Sequence, residues 1–168
     1  MMAVAKPAFA LRPFLPEDTP MLADIFRASV EELTQDDYTP AQQDAWASSA
    51  DDLEEFAARL GKHLTLIATM QGTPVGFISL DAATEIGLFY VHPAVAGHGA
   101  GRMLYDAIEK LSAARGTAHL SVDASDTARE FFVARGFAPQ QRNTVSAGNE
   151  WLSNTTMKKT LAANEDKP

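Results

Sequence analysis

The stretch "LFYVHPAVAGHGAGRMLYDAIEKL", Leu88 to Leu111, decides the fold. Leu88, Phe89, Tyr90 and Val91 form an apolar and aromatic run that stops at His92-Pro93, which reads as a strand ended by proline. Further on, Leu104, Ala107, Ile108 and Leu111 recur at i, i+3, i+4 and i+7, one apolar face of a helix. Gly97, Gly99 and Gly101 stand between the two. Without a Cβ, glycines in a strand-to-helix turn let the backbone take positive φ and come close to a ligand. The successive N–H groups, with a helix N-terminus behind them, make an anion site suited to a phosphate or pyrophosphate. The glycines by themselves fit equally a tight turn that binds nothing. Two other glycine loops fit this stretch weakly. A P-loop needs Gly-Lys-Ser/Thr, whereas Arg102-Met103 follows Gly101. A dinucleotide fingerprint has Gly-x-Gly-x-x-Gly after the first strand, and the spacing here is Gly-x-Gly-x-Gly deep in the chain.

Upstream of this stretch, "FALRPFL" (9–15) predicts a first strand stopped by Pro16, and Glu17-Asp18-Thr19-Pro20 a helix start. Leu22, Ile25, Phe26, Val30 and Leu33 share one stripe of that helix. "TPAQQDAWASSADDLEEFAARL" continues as helix from a Thr39 cap and Pro40, broken near Ser48-Ser49 and closed by Gly61. "HLTLIATM", "TPVGFISL" and "TEIGLFYV" are three strands, the first two joined at Gln71-Gly72. Downstream come a strand "AHLSVDAS", a short helix starting at Ser125 or Asp126 and stopped by Gly136, and two closing strands around Gly148-Asn149. The expectation is a single α/β (α+β) domain over 1–161, a mixed sheet of about seven strands with helices on both faces, followed by a disordered tail at 162–168.

At 168 residues the chain can bury about two thirds of its unfolded surface in one core. A net charge of −8 argues against nucleic acid or anionic membrane as partner and would attract a cation. Cysteine is absent, which removes disulfides, thiolate metal sites and a cysteine nucleophile. The four histidines, His63, His92, His98 and His119, show no paired ligand spacing, so no metal is expected. With neither a membrane-length apolar run nor a signal-peptide core, the expected location is cytoplasmic.

In this order and spacing the elements resemble the GCN5-related N-acetyltransferase (GNAT) superfamily, from "LRPF" to "MKKTL", with a last segment similar to a subgroup of small bacterial acetyltransferases. The sharpest parts are "YVHPAVAGHGAGRMLYDAI", which is similar to the family's acetyl-CoA signature, and "ASDTAREFFVARGF", which is similar to its Asn-x-x-Ala helix ending in Gly-Phe. The resemblance implies acetyl-CoA as co-substrate and a strand pair that splays to admit the acyl group. It implies that backbone N–H groups of Gly97, His98, Gly99, Ala100, Gly101 and Arg102 hold the pyrophosphate. It implies too that the strand around Phe89 and Val91 pairs with the pantetheine amides, with Ser125 and Phe132 beside the thioester. Three positions depart from the family pattern. Ala96 stands for its Gln or Arg, Ser125 for its Asn, and Phe132 for a Tyr that many members place near the leaving thiolate. A phenyl ring cannot donate a proton.

Transfer to an amine needs a base, a polarised carbonyl and a protonated thiolate. The family's common acidic position aligns with Gly87, and Glu85 lies two residues earlier on the same strand face by period two. Glu85 is therefore the candidate base, competing with a surface role at the strand start. Tyr90 and Ser125 are candidate acids, with Tyr38 or water as substitutes. Glu32, Tyr38, Trp46 and Trp151 are candidates for a pocket around a cationic amine, against a plainer reading as core anchors and a solvated acidic face. The expected reaction is acetylation of a small-molecule amine. The alternatives are transfer to protein or peptide amines and a non-catalytic acyl-CoA-binding module, and the superfamily's habit of dimerising makes a homodimer an expectation too.

Overall fold

A computed structural model describes residues 8–161; the expected tail at 162–168 lies outside the described residues. Strand β1 (Phe9–Pro13) leads through a 3-10 turn into helix α1 (Thr19–Leu33). Asp18, buried at that junction, takes both guanidinium N–H groups of Arg12 at 2.8 Å and the Leu15 N–H at 2.8 Å, fixing where the strand hands over to the helix. Helices α2 (Pro40–Ala47) and α3 (Leu53–Lys62) follow, separated by a 3-10 turn at Ser48–Ala50, where the break was expected. Thr39 caps α2 by accepting the Gln42 N–H. Gly61 does not close α3. It lies inside the last turn with Phe14 packed 3.8 Å from where its Cβ would be, and the chain leaves the helix at His63.

Strands β2 (Leu64–Met70), β3 (Thr73–Asp81) and β4 (Glu85–Val91) form an antiparallel meander. After the glycine turn come α4 (Ala100–Ala114), β5 (His119–Ser125), the single-turn α5 (Arg129–Ala134), β6 (Ala138–Ala147) and β7 (Glu150–Thr160). The seven-stranded sheet runs β1-β2-β3-β4-β5-β7-β6. Its apolar side chains divide between two layers. Leu104, Tyr105, Ile108 and Phe132 pack with Ile78, Leu80 and Ile86 on the α4–α5 face, and Leu22, Phe26, Phe56 and Leu60 pack with Ile67, Phe77 and Leu88 on the α1–α3 face.

Two irregularities in the middle of the sheet create the site. First, β4 and β5, the parallel pair, are in register at Glu85–Ser121 and Ile86–Val122 only, and then diverge. Beyond Ile86, β4 is paired on its β3 side alone, while β5 stays paired to β7 up to Ser125. Second, Ile78 faces Phe89 whereas Leu80 faces Ile86, so β4 carries an extra residue at Gly87-Leu88 opposite Ser79. The Leu88 N–H displaced by this bulge bonds to Ser79 Oγ at 2.8 Å.

Candidate functional site

Between the diverging strands lies a cleft of about 410 Å³. Phe89 and Val91 form one wall, Ser125, Phe131, Phe132 and Arg135 the other, the glycine turn the floor, and Ser29 and Leu33 of α1 the rim. Gly97 and Gly99 sit at φ +81° and +99°, a region that side chains with a Cβ disfavour. Met103 donates the first bond of α4, to the Gly99 carbonyl at 3.0 Å. The N–H groups of Ala100, Gly101 and Arg102 therefore have no acceptor within their own helix. Gly101 also borders the cleft, and a Cβ there would rest in ordinary contact, 3.6 Å, with the Phe89 and Val91 side chains. The turn thus presents a row of free N–H groups and a positive helix end to a bare concavity, the arrangement a pyrophosphate fits. His98 is the exception. Its N–H is spent on the Val95 carbonyl at 3.2 Å, and its exposed imidazole is not part of the cleft wall. Ala96 contributes only a methyl to the wall.

A second cavity, about 550 Å³, opens toward α2, α3 and the β6–β7 turn. Its walls carry Phe26, Tyr38, Trp46, Phe56 and Tyr90, the charged residues Glu55 and Arg59 from α3, Asp123, and the segment Val145–Gly148. The two spaces adjoin, for Trp46, Phe89, Tyr90, Ser125, Ala128 and Phe132 border both. At this shared wall Tyr38 and Trp46 meet edge to face at 5.2 Å between ring centroids, and Trp46 and Tyr90 at 6.4 Å.

The polar groups at the junction differ in what they can do. Burial pushes the Tyr90 hydroxyl up to about 12, with the Trp46 side chain and the Arg59 charge acting the other way, so it remains a proton donor at neutral pH. Ser125 Oγ accepts the Ala128 N–H at 3.1 Å, which leaves its own proton to donate. Tyr38 is committed elsewhere: its hydroxyl donates to the Ser153 carbonyl and accepts the Asp126 N–H. Burial raises its pKa as well. Phe132, 1% exposed, packs against Phe89, Phe131 and Phe137 and offers no proton.

Three residues expected at the site are placed away from it. Glu85 is exposed at the end where β4 and β5 are still paired and borders neither cavity. Glu32 is exposed on α1 and likewise borders neither. Trp151, 64% exposed, borders neither cavity; it pairs with Ser146 across β6–β7, and its carbonyl accepts from Gln42 Nε2 at 2.8 Å. Conversely, the sequence reading passed over Phe131 and Arg135, whose guanidinium lies 3.6 Å from the Phe131 centroid beside the cleft. Their i, i+4 spacing was the available signal.

The model of the acetyltransferase (GNAT) domain matches residues 34–161. An N-acetyltransferase of Escherichia coli K12, YafP, whose own role is uncharacterised, is 30% identical over 148 residues, covering 88% of this chain and 93% of that protein. The crystal structure of a GCN5-related N-acetyltransferase from Rhodopseudomonas palustris is 57% identical, with a TM-score of 0.89 over 96% of this chain and 99% of that one. PaiA N-acetyltransferase from Thermoplasma acidophilum, solved with coenzyme A, shares the fold at 19% identity and a TM-score of 0.75, over 92% and 99% of the two chains. Splayed strands, a glycine turn at a helix N-terminus and the matched family model together establish that this chain belongs to the GNAT acetyltransferase family.

Proposed function

We propose that the protein transfers the acetyl group of acetyl-CoA, the family's co-substrate, directly to the amine of a small molecule. The observation that carries the reading is the shared wall. The cleft that fits a pyrophosphate-bearing acyl donor adjoins a second cavity lined by Phe26, Tyr38, Trp46, Phe56 and Tyr90. Aromatic walls of this kind suit a compact amine rather than an extended peptide. In this reading the N–H groups of Gly97 and of Gly99 to Arg102 hold the pyrophosphate, and the free edge of β4 around Phe89 and Val91 pairs with the pantetheine amides. A β4 N–H near Phe89 or Tyr90 polarises the thioester carbonyl. Tyr90 and Ser125, both at the junction, are the proton donors for the departing thiolate. Trp46 and Tyr38 shape the acceptor pocket, Tyr38 through its ring.

The test is a calorimetric titration with acetyl-CoA followed by thiol release against a panel of small amines and free-N-terminal, lysine-bearing peptides. Saturable binding with release faster for a small amine supports the proposal. Release with the peptides alone transfers the activity to protein amines, and absence of binding defeats the assignment of the glycine turn.

A further inference from the structure

Gly87 lines the second cavity. Asp81, half-buried on the neighbouring strand, does not itself border either cavity, but its carboxylate lies against the bare Cα of Gly87: a Cβ built there would clash with Asp81 Oδ2 and fall 2.5 Å from Asp81 Cγ. The space where a side chain at position 87 would begin is therefore filled by a carboxylate from the neighbouring strand. Asp81 shares the face of Phe77 and Ser79 by period two, the face that carries Phe26 and Tyr90. Its orientation is set by Ser79, whose hydroxyl donates to Oδ1 at 3.2 Å while its oxygen accepts the Leu88 N–H at the bulge. Oδ2 is left over Gly87, at the strand irregularity that opens the site.

We propose that Asp81 is the carboxylate that accepts the proton of the acceptor amine, taking from β3 the part that Glu85 was expected to play on β4. The inference rests on acetyl transfer but not on the size of the acceptor. The acceptor arrives as an ammonium and gives one proton to Asp81 Oδ2. Its lone pair then forms the C–N bond as the carbonyl electrons move to oxygen. On collapse the C–S bond breaks and its pair leaves on sulfur; the thiolate takes its proton from Tyr90 or Ser125, and the second nitrogen proton restores that hydroxyl. Asp81 returns its proton to water. The other titratable groups around Asp81 are Glu85, its register partner on β4, and His63 beside the start of β2; Glu55, Arg59 and Asp123 stand on the cavity walls.

The experiment compares the native chain, Asp81→Asn, Glu85→Gln and the double variant Asp81→Ala/Gly87→Glu. Acetyl-CoA is the donor, and tyramine, spermidine and a free-N-terminal lysine peptide are run side by side. Amine-free hydrolysis of acetyl-CoA, with water as the nucleophile, is followed in parallel and falls with the loss of the base. Asp81→Asn keeps an oxygen for Ser79 and removes the base. Its kcat/KM falls about 100-fold or more at pH 7, with the acetyl-CoA Kd unchanged, and recovers toward native as pH approaches the pKa of the amine, near 10. The double variant, which supplies a carboxylate from position 87, regains part of the rate. Native kcat/KM in Asp81→Asn, an equal loss at every pH, or the loss appearing in Glu85→Gln instead would each overturn the proposal. Turnover of the peptide alone would defeat the small-molecule reading while leaving the comparison of variants intact.

Discussion

Tyr38, on the loop after α1, donates its hydroxyl to the Ser153 carbonyl of β7 at 2.6 Å, a bond that spans 115 residues of chain. The same oxygen accepts the Asp126 N–H at 2.9 Å, so one hydroxyl joins the helical layer, the far strand and the turn that carries Ser125. Tyr38→Phe keeps the ring in the cavity wall and deprives both backbone groups of their partner. The expected cost is about 1–3 kcal/mol, read as a lower urea midpoint with an unchanged m-value. An unaltered midpoint would mean that water replaces the hydroxyl.

Gly99→Ala tests the glycine turn. Nothing lies within 4 Å of the added Cβ, so packing is not at issue, and the penalty comes from φ +99°. Left-handed backbone costs an L-residue about 1–2 kcal/mol. If the turn shifts to relieve this, acetyl-CoA affinity falls about tenfold, measurable by calorimetry. Full affinity would show that the row of N–H groups does not hold the ligand.

Acid stability should depend on Asp18. The Arg12 hydrogen bonds hold its carboxyl below the usual range, with a further contribution from the Leu15 N–H, against a desolvation that acts the other way. A depressed native pKa stabilises the fold above the unfolded value, about 3.9, and this contribution is lost as pH falls through the native one. Asp18→Asn is expected to be less stable than native at pH 7, with the gap closing below about pH 4. Urea midpoints at pH 7 and pH 3 decide it.

Tyr90 makes a prediction at the other end of the scale. Its hydroxyl, pushed up to about 12 by burial, holds its proton in the folded chain after unfolded tyrosine, near 10, has lost it. The native state then binds more protons than the unfolded one, and stability declines as pH rises above 10. Tyr90→Phe flattens that decline and lowers kcat without adding a limb to the rate profile between pH 6 and 9. A new limb in that range would assign the titration elsewhere.

The elements were legible because their signals are local: proline after Val91, the i, i+3, i+4 face of α4, and the glycines between them. What the sequence did not display was the phase of β4. Period two places Glu85 on the side of Phe89, yet Ile86 and Phe89 both pack against the α4–α5 layer, because the extra residue at Gly87-Leu88 resets the alternation. A bulge leaves no mark in a run of apolar residues, and it leaves Glu85 on the side away from Phe89. Trp151 lies away from both cavities for a related reason: its neighbour Leu152 is the buried one, and aromatic character does not say which side of β7 faces in. The Asp81–Gly87 contact joins two strands through a missing side chain, which single-strand patterns cannot show.

The two-residue pairing of β4 with β5 also bears on how the protein survives in a cell. Past Ile86 the facing edges of these strands have no strand partner, so a donor bound as proposed would complete the sheet as well as react in it. Ligand that binds only the folded chain adds stability as RT ln(1 + [L]/Kd), about 2.7 kcal/mol at a hundredfold excess over Kd. Resistance to unfolding, and to proteolysis of the opened chain, would then rise with donor concentration.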